Sequence, residues 1–552
     1  MGLIPSGQRE LVRAVAALVD CNPFLPERIE IERRVLGSAF VPLATVWHAG
    51  GETVALNPNA TALRHVVERL GTELRQRLVG GETARPGELA EYHRVVLYLL
   101  VLRYQDDWYN LIEPAEAARG PSDLAYPGDQ QERSRERTPA VGPGKRVDWY
   151  RHFAQDVEHF YAPAPALREG SERIDAAHLF ALGFQARRAF HHIFRQIFGG
   201  SQPAARLRAT VWQSIFTHNG QRYREELYPR MAEIPTLITG ESGTGKELVA
   251  RAIALSGFLP FSPRTHTFAA DPAAHFFAVN LSALTPTLIE SELFGHRHGA
   301  FTGATQDRSG WLEACGPHGA LFLDEIGELD TSIQVKLLRV LQTREFQRIG
   351  ETTPRRVVGK VIAATNRTLE DEIAAQRFRK DFYYRICPDR IATPTLREQL
   401  ADKPGDLHEL LRIVARRVIS VTAADSLAAE AEHWVCTHLG TDYPWPGNMR
   451  ELEHCVLNVL LRGEYRPPRI PPAAGEARAA RSGDATLTAD EVVQRYCVAV
   501  YEQTGSYQET ARRLRLDRRT VRAKTRAWTR RAGADEGAPT SHLQSAPGSD
   551  ET

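Results

Sequence analysis

Residues 236–247, Thr-Leu-Ile-Thr-Gly-Glu-Ser-Gly-Thr-Gly-Lys-Glu, constrain this chain more than any other stretch. A short β-branched run, Thr236 to Thr239, enters a turn holding Gly240, Gly243 and Gly245. Lys246 then opens a helical pattern through Leu248, Val249, Ala252 and Ile253. Strand, glycine loop, lysine and helix in that order predict a P-loop. The glycines let backbone N–H groups turn toward phosphate, the helix N-terminus adds partial positive charge, and the lysine reaches the terminal phosphates. The candidate nucleotide-binding residues are therefore Gly240, Glu241, Ser242, Gly243, Thr244, Gly245, Lys246 and Glu247. Glu247 stands where Ser or Thr usually holds Mg²⁺, so the metal must be held mainly by groups from elsewhere. A glycine-rich turn without chemistry is the alternative, and the lysine spacing with flanking strand and helix weighs against it.

The 552 residues have room for three or four domains. A hydrophobic share of 42% and a charged share of 25% are ordinary for a soluble protein. Because the formal net charge is only +1, nucleic-acid binding would require a local basic patch. No apolar run approaches the roughly 18 residues of a membrane span, and no signal peptide opens the chain. A cytoplasmic protein without membrane contact is expected. Cys21, Cys315, Cys387, Cys436, Cys455 and Cys497 lack CxxC spacing and nearby histidine clusters, so they read as reduced packing residues rather than metal ligands.

Residues 1–200 read as mostly helical, with one stripe through Leu11, Val12, Val15, Leu18 and Val19 and another across 88–112. A Pro/Gly/charge-rich stretch from Arg119 to Arg146 reads as a loop or linker. Aromatic-rich helical pattern resumes from Val147 to Phe198. There Phe180, Phe184, Phe190 and Phe194 fit either a packed core or the wall of a ligand pocket. Lys145 is the first lysine of the chain and lies in the linker, so a phosphoacceptor receiver domain, which closes its site with a strand-borne lysine, does not fit. Residues 1–200 are expected to be an input or assembly domain.

From 201 to 398 strands and helices alternate, which predicts a parallel α/β sheet. Phe276–Val279 is a buried strand ending at Asn280; Ala320–Leu323 ends in Asp324-Glu325; Val357–Ala364 ends in Thr365-Asn366. Ligand groups gather at the carboxyl ends of such strands. Asp324 and Glu325 fit a Walker B pair, one carboxylate holding Mg²⁺ directly or through water, the next orienting a water. Solvated strand ends also carry such pairs, and the P-loop about eighty residues upstream favours the functional reading.

These motifs resemble, in one order, the AAA+ ATPase domain of bacterial sigma-54-dependent transcription activators, over about 201–465. Gly240 to Glu247 reads GESGTGKE, the family's own form of Walker A; Ser291 to Ala304 reads SELFGHRHGAFTGA; Ala320 to Leu329 reads ALFLDEIGEL. Val361 to Arg367 reads VIAATNR, Phe378 to Arg385 reads FRKDFYYR, and Tyr443 to Leu452 reads YPWPGNMREL, similar to the family's sensor I, arginine-finger and sensor II segments. The resemblance implies ATP and Mg²⁺ as cofactors, with Lys246, Asp324 and Glu325 catalytic. Asn280 becomes a switch restraining Glu325, and Asn366 and Arg450 become nucleotide sensors. Arg379 and Arg385 become fingers acting in trans within a hexamer or heptamer. The loop Gly299, Ala300, Phe301, Thr302, Gly303 and Ala304 would engage sigma-54 in the RNA polymerase holoenzyme. Plain alternatives remain open: turn hydrogen bonds for Asn280, surface salt bridges for the two arginines, and a buried turn for Phe301. Two departures from the family pattern stand out. HRHGAFTGA replaces the commoner HEKGAFTGA, and ICPDRIATPTLREQ follows the fingers.

The stretch from Glu464 to Ala485 reads as a flexible linker. Beyond it, Thr488–Glu491 and Ser506–Glu509 read as capping boxes, and Asp517 as the cap of a third helix running from Arg518 to about Trp528. Residues 487–531 hold eleven Arg or Lys against five Asp or Glu. Arg518, Arg519, Thr520, Arg522 and Lys524 lie where a recognition helix meets double-stranded DNA. The segment resembles a Fis-like helix-turn-helix; a basic bundle for oligomer contacts is the alternative.

The expected architecture is multidomain. A mostly α input domain (1–200) precedes an AAA+ α/β P-loop subdomain with a parallel sheet (201–398) and a helical lid (399–463). A linker (464–486), an all-α helix-turn-helix (487–531) and a disordered tail (532–552) follow. The expected function is ATP-driven activation of sigma-54 RNA polymerase from an upstream DNA site. A regulator that does not remodel sigma-54, and an AAA+ machine outside transcription, are the competing readings; the intact GAFTGA stretch disfavours the first and the terminal basic module the second.

Overall fold

Four-residue apolar runs flanked by glycine and polar residues become strands here because they are buried on both faces. The computed structural model describes residues 2–42, 58–117, 146–164, 167, 174–271, 276–467 and 488–535. Strands β1 (Thr236–Thr239), β2 (Phe276–Asn280), β3 (Ala320–Asp324), β4 (Lys360–Thr365) and β5 (Asp389–Ala392) form one parallel sheet in the order β5-β1-β4-β3-β2. The edge strand β5 carries Asp389 and Arg390 beside Ile391, so its sequence lacks the apolar run that marks the other strands. It pairs with β1 from Thr236↔Asp389 to Thr239↔Ala392.

One face of the sheet is covered by α9 (Pro286–Phe294) and α10 (Thr331–Thr343), which follow β2 and β3, with Ile289, Leu293, Ile333, Leu337 and Val340 in one core with Leu321, Leu323 and Val361. The opposite face is covered by α6 (Ala176–Gln196), α7 (Gln202–Phe216) and the P-loop helix α8 (Lys246–Ala254). Ahead of them in the chain come α1 (Arg9–Asp20), α2 (Pro26–Leu36), α3 (Pro58–Val79), α4 (Pro86–Ala117) and α5 (Tyr150–Tyr161).

Helix α6 is buried around most of its circumference. Phe180 and Phe184 pack into the N-terminal helical core, while Leu182, Ala189 and Ile193 pack into the core under the sheet. The N-terminal core also takes Phe261 and Phe268, from a short hairpin that follows α8; Phe180 stacks within 4.5 Å of Phe261 and Phe184 within 4.3 Å of Phe268. Polar contacts reinforce the seam. Gln185 Nε2 donates to the Ser256 carbonyl at 3.0 Å, Tyr223 Oη donates to Gln185 Oε1 at 2.8 Å, and Arg188 donates to the Gly257 carbonyl. Residues Met1–Tyr465 accordingly form one compact unit and Arg466–Thr552 a second.

The lid comprises α12 (Leu396–Asp402), α13 (Asp406–Val418), α14 (Val421–His438) and α15 (Asn448–Arg462), packed around Leu410, Leu411, Ala428, Leu452 and Val456. The second unit contains α16 (Ala489–Thr504), α17 (Tyr507–Leu514) and α18 (Arg518–Asp535). Helix α18 continues to Asp535, past the end expected near Trp528 and into the expected tail. Ser506 makes no side-chain cap at α17, so that capping box does not form; its backbone carbonyl instead accepts from Thr510 Oγ1 at 2.8 Å. Asp517 does cap α18, accepting from the Arg519 N–H at 2.7 Å. Of the expected linkers, residues 119–145 and 468–485 lie outside the described residues, as do 536–552 of the expected tail. Among the cysteines, Cys315, Cys455 and Cys497 are buried, and burial pushes the first two thiols up to about 12; Cys436 is exposed, which corrects its reading as a packing residue. Among the described residues no helix is long and apolar enough to cross a membrane.

Gln185 satisfies two buried groups at once, so Gln185→Leu orphans the Tyr223 hydroxyl and the Ser256 carbonyl. Each buried orphan costs about 1–3 kcal/mol. Urea denaturation of the full chain should therefore show a midpoint clearly below wild type, with tryptophan fluorescence and far-ultraviolet circular dichroism shifting together.

Candidate active site

The turn after β1 is built from three glycines with positive φ: Gly240 at 154°, Gly243 at 79° and Gly245 at 89°. Two of them also face neighbours too close for a side chain. A Cβ on Gly240 would lie 2.0 Å from Thr393 Oγ1, and one on Gly243 would lie 2.3 Å from the Gly447 carbonyl. Lys246, the first residue of α8, is buried and donates to the carbonyls of Gly240 at 3.0 Å and Glu241 at 3.1 Å. Burial pushes its pKa down, and the nearby carboxylates of Glu325 and Asp324 work against that shift. Glu247 pairs with Arg251 one turn along α8 at 3.7 Å.

Asp324 and Glu325 stand at the carboxyl end of β3, beside the P-loop. Burial pushes both carboxyls up; for Glu325 the adjacent Asp324 adds to the rise, and for both Lys246 opposes it. Glu325 has left-handed backbone, φ 55° and ψ 48°, and its N–H donates to Asp324 Oδ1 at 3.0 Å. A non-glycine residue in that region costs about 1–3 kcal/mol, strain that persists where the surroundings over-determine it. The Asn366 N–H approaches Glu325 Oε2 at 3.5 Å, so the end of β4 touches the second carboxylate through its backbone. Asn280 is the β-ladder partner of Asp324, but its side-chain oxygen accepts from Ser282 N–H at 3.0 Å and Ser282 Oγ at 2.8 Å. The turn hydrogen bonds left open by the sequence are the contacts this oxygen makes.

The lid closes on the P-loop through the start of α15, a set of contacts that the sequence reading missed apart from Arg450. Asn448 is buried with φ 52°. Its Nδ2 donates to Glu241 Oε2 at 3.0 Å and the Ser242 carbonyl at 3.1 Å, and its Oδ1 accepts from the Leu396 N–H at 2.8 Å. Met449 N–H donates to the Gly243 carbonyl at 3.1 Å, and Arg450 to Ser242 Oγ at 3.0 Å. Thr393, just past β5, meets Thr244 Oγ1 at 2.7 Å. The Glu241 side chain thus faces the lid. The Gly447-Asn448 pair before a helical pattern was the available signal, since glycine and asparagine are the residues that tolerate left-handed backbone.

The two candidate fingers are engaged locally. Arg379, exposed at the start of α11 (Lys380–Ile386), forms a bidentate pair with Asp381 at 3.0 and 2.6 Å. Arg385 donates twice to the Leu341 carbonyl, at 2.9 and 2.7 Å, near the C-terminal end of α10. The 299–304 loop is tied at its base: Gly299 N–H donates to the Ala304 carbonyl at 2.8 Å, and Ala304 is buried. His298 N–H donates to Asp307 Oδ1 at 2.8 Å, and Arg297 pairs with Asp307 and Glu351. At the tip Phe301 is 36% exposed, resting edge-on against His296 at 4.9 Å, and Thr302 is exposed. In the second unit Arg518, Arg519 and Arg522 are exposed on α18 and Thr520 is half-buried, whereas Lys524 pairs with Asp490 of α16. That ion pair commits the Lys524 charge within the helical unit. Among the described residues no His/Cys/Asp/Glu group of three or more could hold a metal.

Asn448→Gly keeps the left-handed backbone and removes the three amide contacts. Nucleotide affinity, read with a fluorescent ATP analogue, should fall about tenfold, corresponding to the loss of one to two hydrogen bonds' worth of lid closure. Unchanged affinity would mean that the latch does not bear on binding.

Comparison with known proteins bears on the same region. The family model described as the Sigma-54 interaction domain matches residues 219–392. The transcriptional regulatory protein ZraR of Klebsiella oxytoca is 41% identical over 301 residues, 53% of this chain and 63% of that protein. The Nif-specific regulatory protein of Azotobacter vinelandii is 40% identical over 291 residues, 50% of this chain and 51% of that protein. The chain thus spans between half and two thirds of the length of these relatives. A solved structure of NtrX from Brucella abortus in complex with ATP covers 64% of this chain and 76% of its own, at 24% identity and a TM-score of 0.35, too low for that likeness to weigh here. Residues 219–392 are thus similar to the Sigma-54 interaction domain, and this half of the chain resembles these transcriptional regulators.

Proposed function

We propose that this chain is an ATP-driven transcription activator that acts on sigma-54 RNA polymerase. The observation that carries the reading is the joint placement of a P-loop, a carboxylate pair and an anchored loop with an exposed phenylalanine tip in one sigma-54 interaction domain.

The donor set fits a nucleotide with a divalent cation. The carboxylates of Asp324 and Glu325, made costly by burial and joined by Glu247, outnumber the charges of Lys246 and Arg450 that act on them, so the site is short of positive charge before any ligand enters. Asp324 is the residue to hold Mg²⁺, directly or through water, with Glu325 close behind. When bound, Mg²⁺ would neutralise phosphate charge and polarise the transferred group. Lys246 exchanges the carbonyls of Gly240 and Glu241 for phosphate oxygens, and the backbone N–H groups of 240–246 line the same cradle. Glu325, with its raised pKa and fixed backbone, orients the attacking water and accepts its proton. Arg450, already on Ser242, senses the phosphates from the lid.

Arg379 and Arg385 act on a neighbouring subunit in a ring. Each must first release its local partner, Asp381 or the Leu341 carbonyl, which makes finger engagement a switchable step. Hydrolysis moves the Phe301-Thr302 tip while the stem stays tied at Ala304 and Asp307. Arg518, Arg519 and Arg522 place the α18 face on upstream double-stranded DNA through phosphate and base-edge contacts.

Open-complex formation on a sigma-54 promoter in vitro tests this reading. Wild type should support it with ATP, whereas Thr302→Ala should hydrolyse ATP at close to the wild-type rate yet yield no open complex; ATP hydrolysis without open complexes from wild type would overturn the assignment. For shared sites, a Lys246→Ala subunit mixed with an Arg385→Ala subunit should recover a measurable part of the ATPase that each lacks alone. No recovery in mixed rings verified by mass would place the fingers in cis.

A further inference from the structure

Native cores hold few voids larger than a water molecule. Between α1, α3, α4, α6 and α7 lies a cavity of about 1100 Å³, at the upper end of the size of small-molecule sites. Its walls include Tyr98, Trp108, Tyr109, Phe190, Phe194 and Trp212. Phe190 and Phe194 therefore border a cavity, whereas Phe180 and Phe184 pack as core.

Two buried donors on this wall have no hydrogen-bond partner: Trp108 Nε1, on a side chain 1% exposed, and Arg187 Nε. Each such orphan costs about 1–3 kcal/mol, which a ligand acceptor would relieve. The Arg187 guanidinium stacks 4.8 Å from the Tyr109 ring centroid and 5.9 Å from that of Phe190. Other wall cations are ion-paired at contact distance, Arg64 with Glu68 at 3.6 Å and Arg224 with Asp20 at 2.9 Å, whereas Arg187 makes no such pair among the described residues and has the charge of Asp106 on the same wall working against its burial. Two orphan N–H donors, one of them cationic, within aromatic walls match an apolar body carrying one acidic head.

The same helix that bears Arg187 grips the motor. Gly183, Ala186, Arg187 and Phe190 of α6 line the cavity, while Gln185 and Arg188 hold the Ser256 and Gly257 carbonyls just beyond the C-terminal end of α8. The N-terminal residue of α8 is Lys246. Burial pushes the Arg188 guanidinium down to about 9, which marks a cation held in an apolar seam.

We infer that this cavity is a binding site for a small hydrophobic organic acid, seated on Trp108 and Arg187, and that α6 relays its occupancy to the P-loop helix. The inference goes beyond the proposed activator function, and the binding half stands without it. The ligand changes the motor only by favouring one setting of α6 against α8 over another.

Full-length protein titrated with 8-anilinonaphthalene-1-sulfonate provides the test, since the dye is itself an aromatic anion. Saturable fluorescence should appear, and 2-naphthoate should displace the dye about tenfold more tightly than the neutral 2-naphthalenemethanol, the difference expected of one charge-assisted contact. Arg187→Gln should bring the two competitors within about twofold, and Ala186→Trp, which fills the cavity, should abolish dye binding. Circular dichroism and basal ATPase check that both variants fold. Equal displacement by acid and alcohol, or full dye binding in a folded Ala186→Trp, overturns the site. Saturating 2-naphthoate should shift the KM for ATP at least about threefold; unchanged ATPase kinetics in liganded protein overturns the relay while leaving the activator reading untouched.

Discussion

A parallel sheet exposes no polar face to water, so both of its surfaces have to be covered. On one side of this sheet the cover includes α6, and α6 is apolar on more than one face. Covering Ile238, Phe322 and Ile362 with Leu182, Ala189 and Ile193 leaves Phe180 and Phe184 on another side, where only the N-terminal helices and the Phe261–Phe268 hairpin bury them. The N-terminal helices are thereby joined to the sheet through shared hydrophobic burial, with Gln185 and Arg188 supplying the polar registration. Because α6 belongs to both cores, a shift of one bears directly on the packing of the other.

The nucleotide site depends on a second constraint, the close approach of backbone segments. Gly240 and Gly243 sit against Thr393 and Gly447, and Asn448 adopts left-handed backbone to reach the P-loop from the lid. The P-loop glycines therefore serve the approach of the α15 segment as well as the turn itself. Glu325 carries similar strain at the end of β3. Two such residues beside one glycine turn mark a candidate site whose backbone is held in place by the surrounding fold.

Electrostatics then separates what is ready from what must move. Asp324, Glu325 and Lys246 share one buried environment and already perturb one another. Arg379, Arg385 and Lys524 are instead occupied by partners within this chain. Exposed pairs such as Arg379–Asp381 are worth little in water and are cheap to exchange, so engagement elsewhere remains open to Arg379.

The sequence alone determined the P-loop, the strands β1 to β4, the polar residues at their carboxyl ends and the cap at Asp517. Each is a local pattern: a period, a glycine spacing or a short side chain before a helix. It missed β5, because an edge strand with Asp389 and Arg390 carries no apolar run. Its capping box at Ser506 failed, because the motif states only that the bond can form. Phe180 and Phe190 occupy the same helical pattern, yet one is core and the other borders a cavity, a distinction set by which helices arrive opposite them. Asn448 on Glu241 and Ser242, and Gln185 on Ser256, join residues far apart in the chain. Tertiary structure alone decided these contacts, because no local propensity encodes which distant carbonyl a buried amide will meet.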